Sequence, residues 1–402
     1  MTPHDMFLPC AAGVEPLLAE ECARIEPGAA VRAARGGVFV AGNEAVAMRL
    51  NLESRLAQRV LWPLAEGPYA SEHDLYALAR ERVDWARWIT PRETLRVDAT
   101  AQRSPLTSLN FAALRIKDAV CDALRESAGA RPSVDTRRPH LAIALHLGAE
   151  RAALYADLSG EALFKRGWRD AKGEAPLKET LAAALLAAAG WQGREADGPL
   201  LDPVCGAGTI AIEAAQMACG IAPGLQRRFA FEQLAPFRPR LATWHEMQAA
   251  ARARVHAPAV PVFAGDVSFR MTDFAARNAE RAGVRHAIDF KTADALQRPA
   301  PAPGGTMVLN PPYGERIGAK GQGSREAFEG AGTPAEFFSA LAAHWKRHYA
   351  GWTAWVLSPE MKLPSLMRLK ESRRVPLWNG PIECRLFRFD LVAGSARERS
   401  VP

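Results

Sequence analysis

Apolar and polar positions follow two rhythms along this chain. Up to about residue 170, alternating stretches are interleaved with helical ones. Gly13 to Cys22 carries apolar residues at helical spacing, with Gly13 and Pro16 near its start. Gly36–Val40 reads as a turn feeding a strand, and Glu44 to about Val60 as a second helix. Thr94–Ala99 alternates as a strand does. Asn110–Glu126 is amphipathic, with Leu114, Val120 and Leu124 on one side and Arg115, Lys117 and Arg125 elsewhere. Strands are expected at Leu141–Leu147 and Ala152–Asp157. Such mixing without strict alternation predicts α+β structure.

From about residue 175 the rhythm changes. Pro176–Gly190 reads as a helix with proline at its start and glycine past its end. From Leu200 the order becomes strand, glycine turn, helix, strand, helix, strand. That order predicts an α/β region with a parallel, doubly wound sheet. Residues 297–305 form a proline-rich loop between two buried strands. We therefore expect three parts, at 1–65, 66–170 and 175–395.

Composition narrows the class. The 402 residues are 48% hydrophobic and 24% charged, a balance ordinary for a soluble globular protein. The longest apolar run, Leu181–Trp191, is too short and alanine-rich to span a bilayer, so no membrane association is expected. Met1–Cys10 lacks the basic cluster and apolar core of a signal peptide. The six cysteines form no Cys-x-x-Cys pair, which argues against a metal centre, and free thiols fit a cytoplasmic protein; a monomer is expected. A net charge of +7 weakly favours a polyanionic partner.

The chemistry concentrates at strand ends. Leu200 to Ile210 (Leu-Leu-Asp-Pro-Val-Cys-Gly-Ala-Gly-Thr-Ile) is an apolar strand ending in Asp202, a turn through Gly206, Gly208 and Thr209, and the start of a helix. Glycine lets the backbone turn tightly and approach a ligand. The Gly-Lys-Ser/Thr of a phosphate loop is absent, so the ligand is not expected to be held by phosphates. Asp202 can instead pair with an ammonium, as in the amino-acid end of S-adenosylmethionine. Val260–Asp266 is the next strand, and Asp266 can accept both ribose hydroxyls. Ile288–Ala295 follows, with Asp294 placed to accept from an adenine amine. Ligands of open α/β sheets sit beyond such carboxyl ends.

Thr306–Leu309 is a fourth strand, and it exits through Asn310-Pro311-Pro312-Tyr313. The prolines stiffen that loop and remove two N–H donors. The Asn310 side-chain oxygen and the Pro311 carbonyl can each take one hydrogen of a planar –NH2 group. That directs the nitrogen lone pair at a methyl sulfonium carbon, so orientation supplies most of the catalysis. Tyr313 offers a face for a base drawn from its stack. The motif suits adenine N6, guanine N2, cytosine N4 or a glutamine amide alike.

Several segments resemble a known family. Ser108–Val120, Arg131–Asp135 and Asp157–Arg169 look like the THUMP domain of RNA-modifying enzymes. Ala175–Thr180 and Ile221–Leu225 match the same pattern. Nearly the whole chain resembles THUMP-domain class I S-adenosylmethionine-dependent RNA methyltransferases, in particular the RlmL half of the bifunctional bacterial 23S rRNA methyltransferases. The resemblance implies a ferredoxin-like unit, a THUMP RNA-binding domain and a Rossmann-like class I methyltransferase domain. It also implies guanine N2 methylation, with 23S rRNA or a ribosome assembly intermediate as partner. Its cofactor roles fall on Asp202, Gly206, Gly208, Asp266 and Asp294, and its chemistry on Asn310 to Tyr313. The family often has a second acid two residues after the ribose acid, where this chain has Ser268. The second methyltransferase domain of the bifunctional enzymes is not found here, so activity belonging to it is expected to be missing.

Arg115, Lys117, Arg131, Lys165, Arg166 and Arg169 are the candidate phosphate contacts, and the last three, beside Trp168, are the best placed. Other readings are an N6-adenine methyltransferase of DNA or RNA, a THUMP-type tRNA methyltransferase, and a non-catalytic RNA-binding assembly factor.

Overall fold

The computed structural model describes residues 4–169, 177–311 and 333–392. They fall into two compact units. One comprises Met1–Cys10, Leu18–Leu163 and Arg227–Ala250, the other Ala11–Leu17, Phe164–Gln226 and Ala251–Pro402.

The first unit runs β1 (His4–Pro9), α1 (Glu15–Ile25), β2 (Val31–Ala34), β3 (Gly37–Gly42), α2 (Glu44–Glu53), β4 (Leu61–Pro68), α3 (Glu72–Arg82), β5 (Thr94–Ala101), α4 (Leu109–Ala128), β6 (Ser133–Val134), β7 (Leu141–Leu147) and β8 (Arg151–Asp157). Its strands form one sheet in the order β2-β3-β1-β4-β8-β7-β5-β6. One register pair, Phe7 with Leu61, joins β1 to β4. The helix expected from Glu44 to about Val60 stops at Glu53. There the Glu21 carboxylate accepts the Ser54 hydroxyl at 2.7 Å and the Arg55 and Leu56 amides at 3.0 and 3.2 Å. A buried acid that takes three donors from one turn outweighs continued helical spacing. Residues 227–250, inside the expected 175–395 part, group with this unit. Their Phe231, Phe237 and Trp244 are buried, and Phe237 packs edge-on against Trp62 at 5.6 Å.

The second unit runs α5 (Glu179–Ala189), β9 (Leu200–Asp202), α6 (Thr209–Ala218), α7 (Leu241–Ala253, most of which belongs to the first unit), β10 (Val262–Asp266), α8 (Phe269–Arg281), β11 (Ile288–Thr292), β12 (Gly305–Leu309), α9 (Pro334–His348), β13 (Trp352–Ser358), α10 (Leu363–Met367), β14 (Arg373–Asn379) and β15 (Ile382–Asp390). The sheet order is β11-β10-β9-β12-β13-β15-β14. Strands β9 to β13 are mutually parallel, and β15 runs antiparallel between β13 and β14. The alternation read from Leu200 onward thus becomes a parallel sheet. Helix α5 is apolar nearly all round and correspondingly buried. A core of Leu201, Met307, Leu309, Phe338, Trp345 and Phe387 packs between strands and α9.

The chain leaves β9 for β10 and β11 on one side, then returns to β12 on the other side of β9. The order therefore reverses between β9 and β12, which makes their carboxyl ends the topological switch point where open α/β sheets take their ligands. Among the described residues no helix is long and apolar enough to cross a membrane.

Candidate active site

The register fixes which side chains meet at that reversal. Leu200 lies beside Val262 of β10 and Thr306 of β12, and Leu201 beside Phe263 and Met307. Asp202 and Asn310 therefore leave adjacent strands at the switch point, and Asp266 and Asp294 leave the next two.

Asp202 is 1% exposed, and its Oδ1 accepts the Val204 amide at 3.3 Å. Burial pushes its carboxyl up to about 8; Asp266 adds to the rise and Arg298 opposes it. A carboxyl held this way gains most from a cation brought to it, which is what a methionine ammonium is. Asp266 organises the loop between the first two strands. Its Oδ2 accepts the Gly206 amide at 3.0 Å and its Oδ1 the Ser268 amide at 3.0 Å. Ser268 opens α8 without a side-chain cap.

The two loop glycines do different work. Gly206, at φ +49°, has only open space where a Cβ would stand, so its backbone is bare toward a ligand. Gly208, at φ +82°, would drive a Cβ to 2.9 Å from Ala275 of α8, so it lets the loop pack on that helix. Thr209, expected among the cofactor contacts, is 4% exposed, and its hydroxyl accepts Arg169 Nη2 at 2.8 Å.

Asp294 lies two residues beyond the end of β11, because Ala293 turns to donate its amide to the Asp266 carbonyl at 3.0 Å. Its carboxylate accepts the Leu296 amide at 2.8 Å and Gln297 Nε2 at 3.1 Å. These bonds leave lone pairs on both oxygens.

Asn310 follows β12 directly. Its Oδ1 is buried and has no hydrogen-bond partner among the described residues. Such an atom carries a desolvation cost that a donor can relieve. Pro311 beside it is buried. Pro312 and Tyr313 lie outside the described residues.

Sequence reasoning missed Arg298, in the proline-rich loop. It is 4% exposed, donates Nη1 to the Ala264 carbonyl at 3.0 Å and puts a positive charge behind Asp202. Gly265 makes room for it, since a Cβ there would stand 2.5 Å from Nη1. An arginine in a proline-rich loop has no periodicity to betray it.

The candidate phosphate contacts separate into two kinds. Arg166 is buried at 2% exposure with Nε 3.0 Å from Glu213 Oε1, so the expectation that it meets phosphate is corrected. Arg169 is partly buried and donates to Glu179 Oε1 at 2.7 Å as well as to Thr209, so it too is an internal group. Lys165 is exposed. In the first unit Arg115 and Lys117 lie near Asp118 at 3.8 and 2.7 Å, and Arg131 lies 3.8 Å from Asp122. These three remain partly open to solvent.

Comparison with known proteins gives the family. Residues 166–388 match the family described as RMKL-like, methyltransferase domain. The chain belongs to that family. Ahead of its methyltransferase domain, residues 69–157 match the THUMP domain and residues 5–61 the RlmL ferredoxin-like domain. The chain is 36% identical over 98% of its length to the ribosomal RNA large subunit methyltransferase K/L of Shewanella sp. (strain ANA-3), and 38% identical over 97% to that of Methylococcus capsulatus. It covers 53% and 51% of those two proteins, about half the length of the curated relatives it matches. Among solved structures, SMU.472, a methyltransferase candidate complexed with SAH, superposes with a TM-score of 0.83 at 24% identity, covering 98% of this chain and 100% of that one. An N6-adenine-specific DNA methylase candidate from Listeria monocytogenes superposes with a TM-score of 0.82 at 25% identity, covering 96% of each chain.

Proposed function

We propose that this methyltransferase moves a methyl group from S-adenosylmethionine to the exocyclic N2 amine of a guanine in 23S rRNA. The observation that carries the reading is the buried, unpartnered Asn310 Oδ1 one strand away from the buried Asp202 carboxyl. The K/L relatives act, by name, on large-subunit ribosomal RNA, and the THUMP match suits an RNA substrate.

The residues present fit the cofactor. Asp202 would hold the ammonium, Asp266 the ribose hydroxyls and Asp294 the adenine amine, with the bare backbone at Gly206 allowing close approach. When bound, the cofactor supplies an electrophilic methyl group. Asn310 Oδ1 and the Pro311 carbonyl would each accept one hydrogen of the guanine amine, turning its lone pair toward the methyl group to be transferred. An amide does not take the proton, so Asn310 orients the nitrogen and leaves deprotonation to water after transfer. Orientation of this kind supplies several kcal/mol of a displacement barrier, roughly 7–11 in well-aligned cases.

The test incubates the protein with methyl-labelled S-adenosylmethionine and protein-free 23S rRNA, then digests and separates the nucleosides. Label in N2-methylguanosine is the expected result, and label in any other nucleoside overturns the base assignment. The Listeria relative favours one alternative product, N6-methyladenosine, which the same chromatogram distinguishes. A second arm supplies ribosome assembly intermediates in place of free RNA and separates the two proposed partners.

A further inference from the structure

The segment Phe164–Arg169 looked, in the sequence, like a basic RNA-facing patch. In the structure it is threaded into the methyltransferase unit. Arg166 reaches Glu213, and Arg169 reaches Thr209. Thr209 and Glu213 are four residues apart on α6, so both arginines grip one face of the helix that follows the glycine loop. Arg169 is itself held by Glu179 and lies over the Trp168 ring at 4.9 Å.

A second path leaves the same segment. The Trp168 carbonyl accepts Arg281 Nε at 2.9 Å. Arg281 Nη2 donates to Asn278 Oδ1 at 2.5 Å, and Asn278 Nδ2 donates to the Ala207 carbonyl at 3.0 Å. Asn278 is fully buried. Ala207 lies between the two loop glycines. The loop is thus tied at Ala207 and at Thr209 by two chains of hydrogen bonds that start on adjacent residues, Trp168 and Arg169.

We infer that Phe164–Arg169, together with Asn278 and Arg281, is a clamp that preorganises the glycine loop for the cofactor, with Arg169 and Asn278 as positioning residues. The inference rests on reading the strand ends as an S-adenosylmethionine site. A glycine loop is costly to order because its backbone has the most freedom to lose. Ordering it in advance moves that cost out of the binding step. A cation beside a helix N-terminus is electrostatically unfavourable, so Arg169 is tolerated there through its pairing with Glu179.

The test measures three quantities on each variant of the full chain: cofactor affinity by calorimetry with S-adenosylmethionine, 23S rRNA affinity by filter binding, and thermal unfolding. Thr209→Val removes only the acceptor for Arg169 and is expected to weaken cofactor binding about tenfold, the scale of one lost charge-assisted hydrogen bond. Thr209→Ser restores the hydroxyl and with it the affinity. Asn278→Ala gives a similar loss through the other chain, and it stands in should Thr209→Val unfold. Arg169→Gln combined with Thr209→Val is no worse than the poorer single variant, since the two act as one unit. RNA affinity is unmoved throughout. Cofactor affinity unchanged in folded Thr209→Val and Asn278→Ala overturns the clamp. So does an Arg169→Gln variant that loses RNA affinity and keeps cofactor affinity. A wild type that binds cofactor but methylates a different base sinks the guanine reading alone and leaves the clamp standing. A wild type that binds no cofactor removes the site and the clamp with it.

Discussion

Two buried charge systems flank the same glycine loop, and they are built on opposite principles. Asp202, before the loop, is 1% exposed with Val204 as its hydrogen-bond donor. Glu213, after it, is 0% exposed and faces the equally buried guanidinium of Arg166. The pair is internally compensated, whereas the single acid is not. Asn310 Oδ1 belongs with Asp202: it too is buried and unsatisfied, on the neighbouring strand end. A fold retains uncompensated polar groups at a cost to itself, and here they stand at the strand ends where the proposed ligand would complete them. The compensated pair joins Arg166 to α6 through Glu213, where it supports the scaffold.

The largest effect that can break this comparison is on stability. Glu213→Ala removes the buried carboxylate that faces the Arg166 guanidinium, and is expected to lower unfolding free energy by about 3–5 kcal/mol in urea titrations. Replacing both partners with leucine and methionine should recover most of that loss. If Glu213→Ala unfolds like the wild type, the pair is not the structural element described.

Next in size is Asn310→Ala. Methyl transfer in single-turnover assays is expected to fall about 10²–10³-fold, the range for losing one aligned polar group at a reacting centre. Cofactor affinity should hold, because Asn310 is assigned to the amine. An equal loss in cofactor affinity would move Asn310 to the wrong ligand.

Asp202 allows the comparison to be sharpened with pH. Its carboxyl, raised to about 8, is largely protonated in the free protein at neutral pH, while pairing with an ammonium requires the ionised form. Cofactor binding near pH 7 should therefore release a proton, seen as a binding enthalpy that varies with the buffer. Affinity should weaken about tenfold per unit as pH falls below 8, until the pKa of the bound state is reached. The sign for stability is opposite. A folded-state pKa above the unfolded value of 3.8 means that the native state binds the extra proton, so the ligand-free protein loses stability on this group's account as pH rises from about 4 toward 8. Asp202→Asn should bind cofactor poorly yet melt no lower than the wild type, the reverse of Glu213→Ala. A variant that melts markedly lower would make Asp202 a structural residue.

The smallest effects belong to the first unit. Arg131→Ala and Lys117→Ala remove single, half-screened charges, and each is expected to weaken rRNA binding by no more than about threefold, with a shallower salt dependence. A tenfold loss from either would mark a specific contact.

Some of this was readable in the residues alone. The change from mixed to alternating pattern near Leu200 announced a parallel sheet. Asp202 and Asp266 stood where strand ends fall, and Asp294 two residues past one, each traceable because backbone periodicity is local. Gly208 was legible as a turn, but its service to Ala275 was not. Nothing local revealed Arg298 or Asn278, since each acts on a carbonyl far away in the chain.

Periodicity, turn chemistry and the order of motifs are written within a few residues of each position, and those features determined the sheet, the loop and the place of Asn310 after β12. Whether a charge is solvent-facing or internal depends on what packs over it. Arg166 and Glu213 are 47 residues apart, and α2 ends early because of a carboxylate 33 residues before Ser54. Desolvation and pairing are properties of assembled neighbours, so the tertiary structure alone separated the internal arginines, Arg166 and Arg169, from those partly open to solvent.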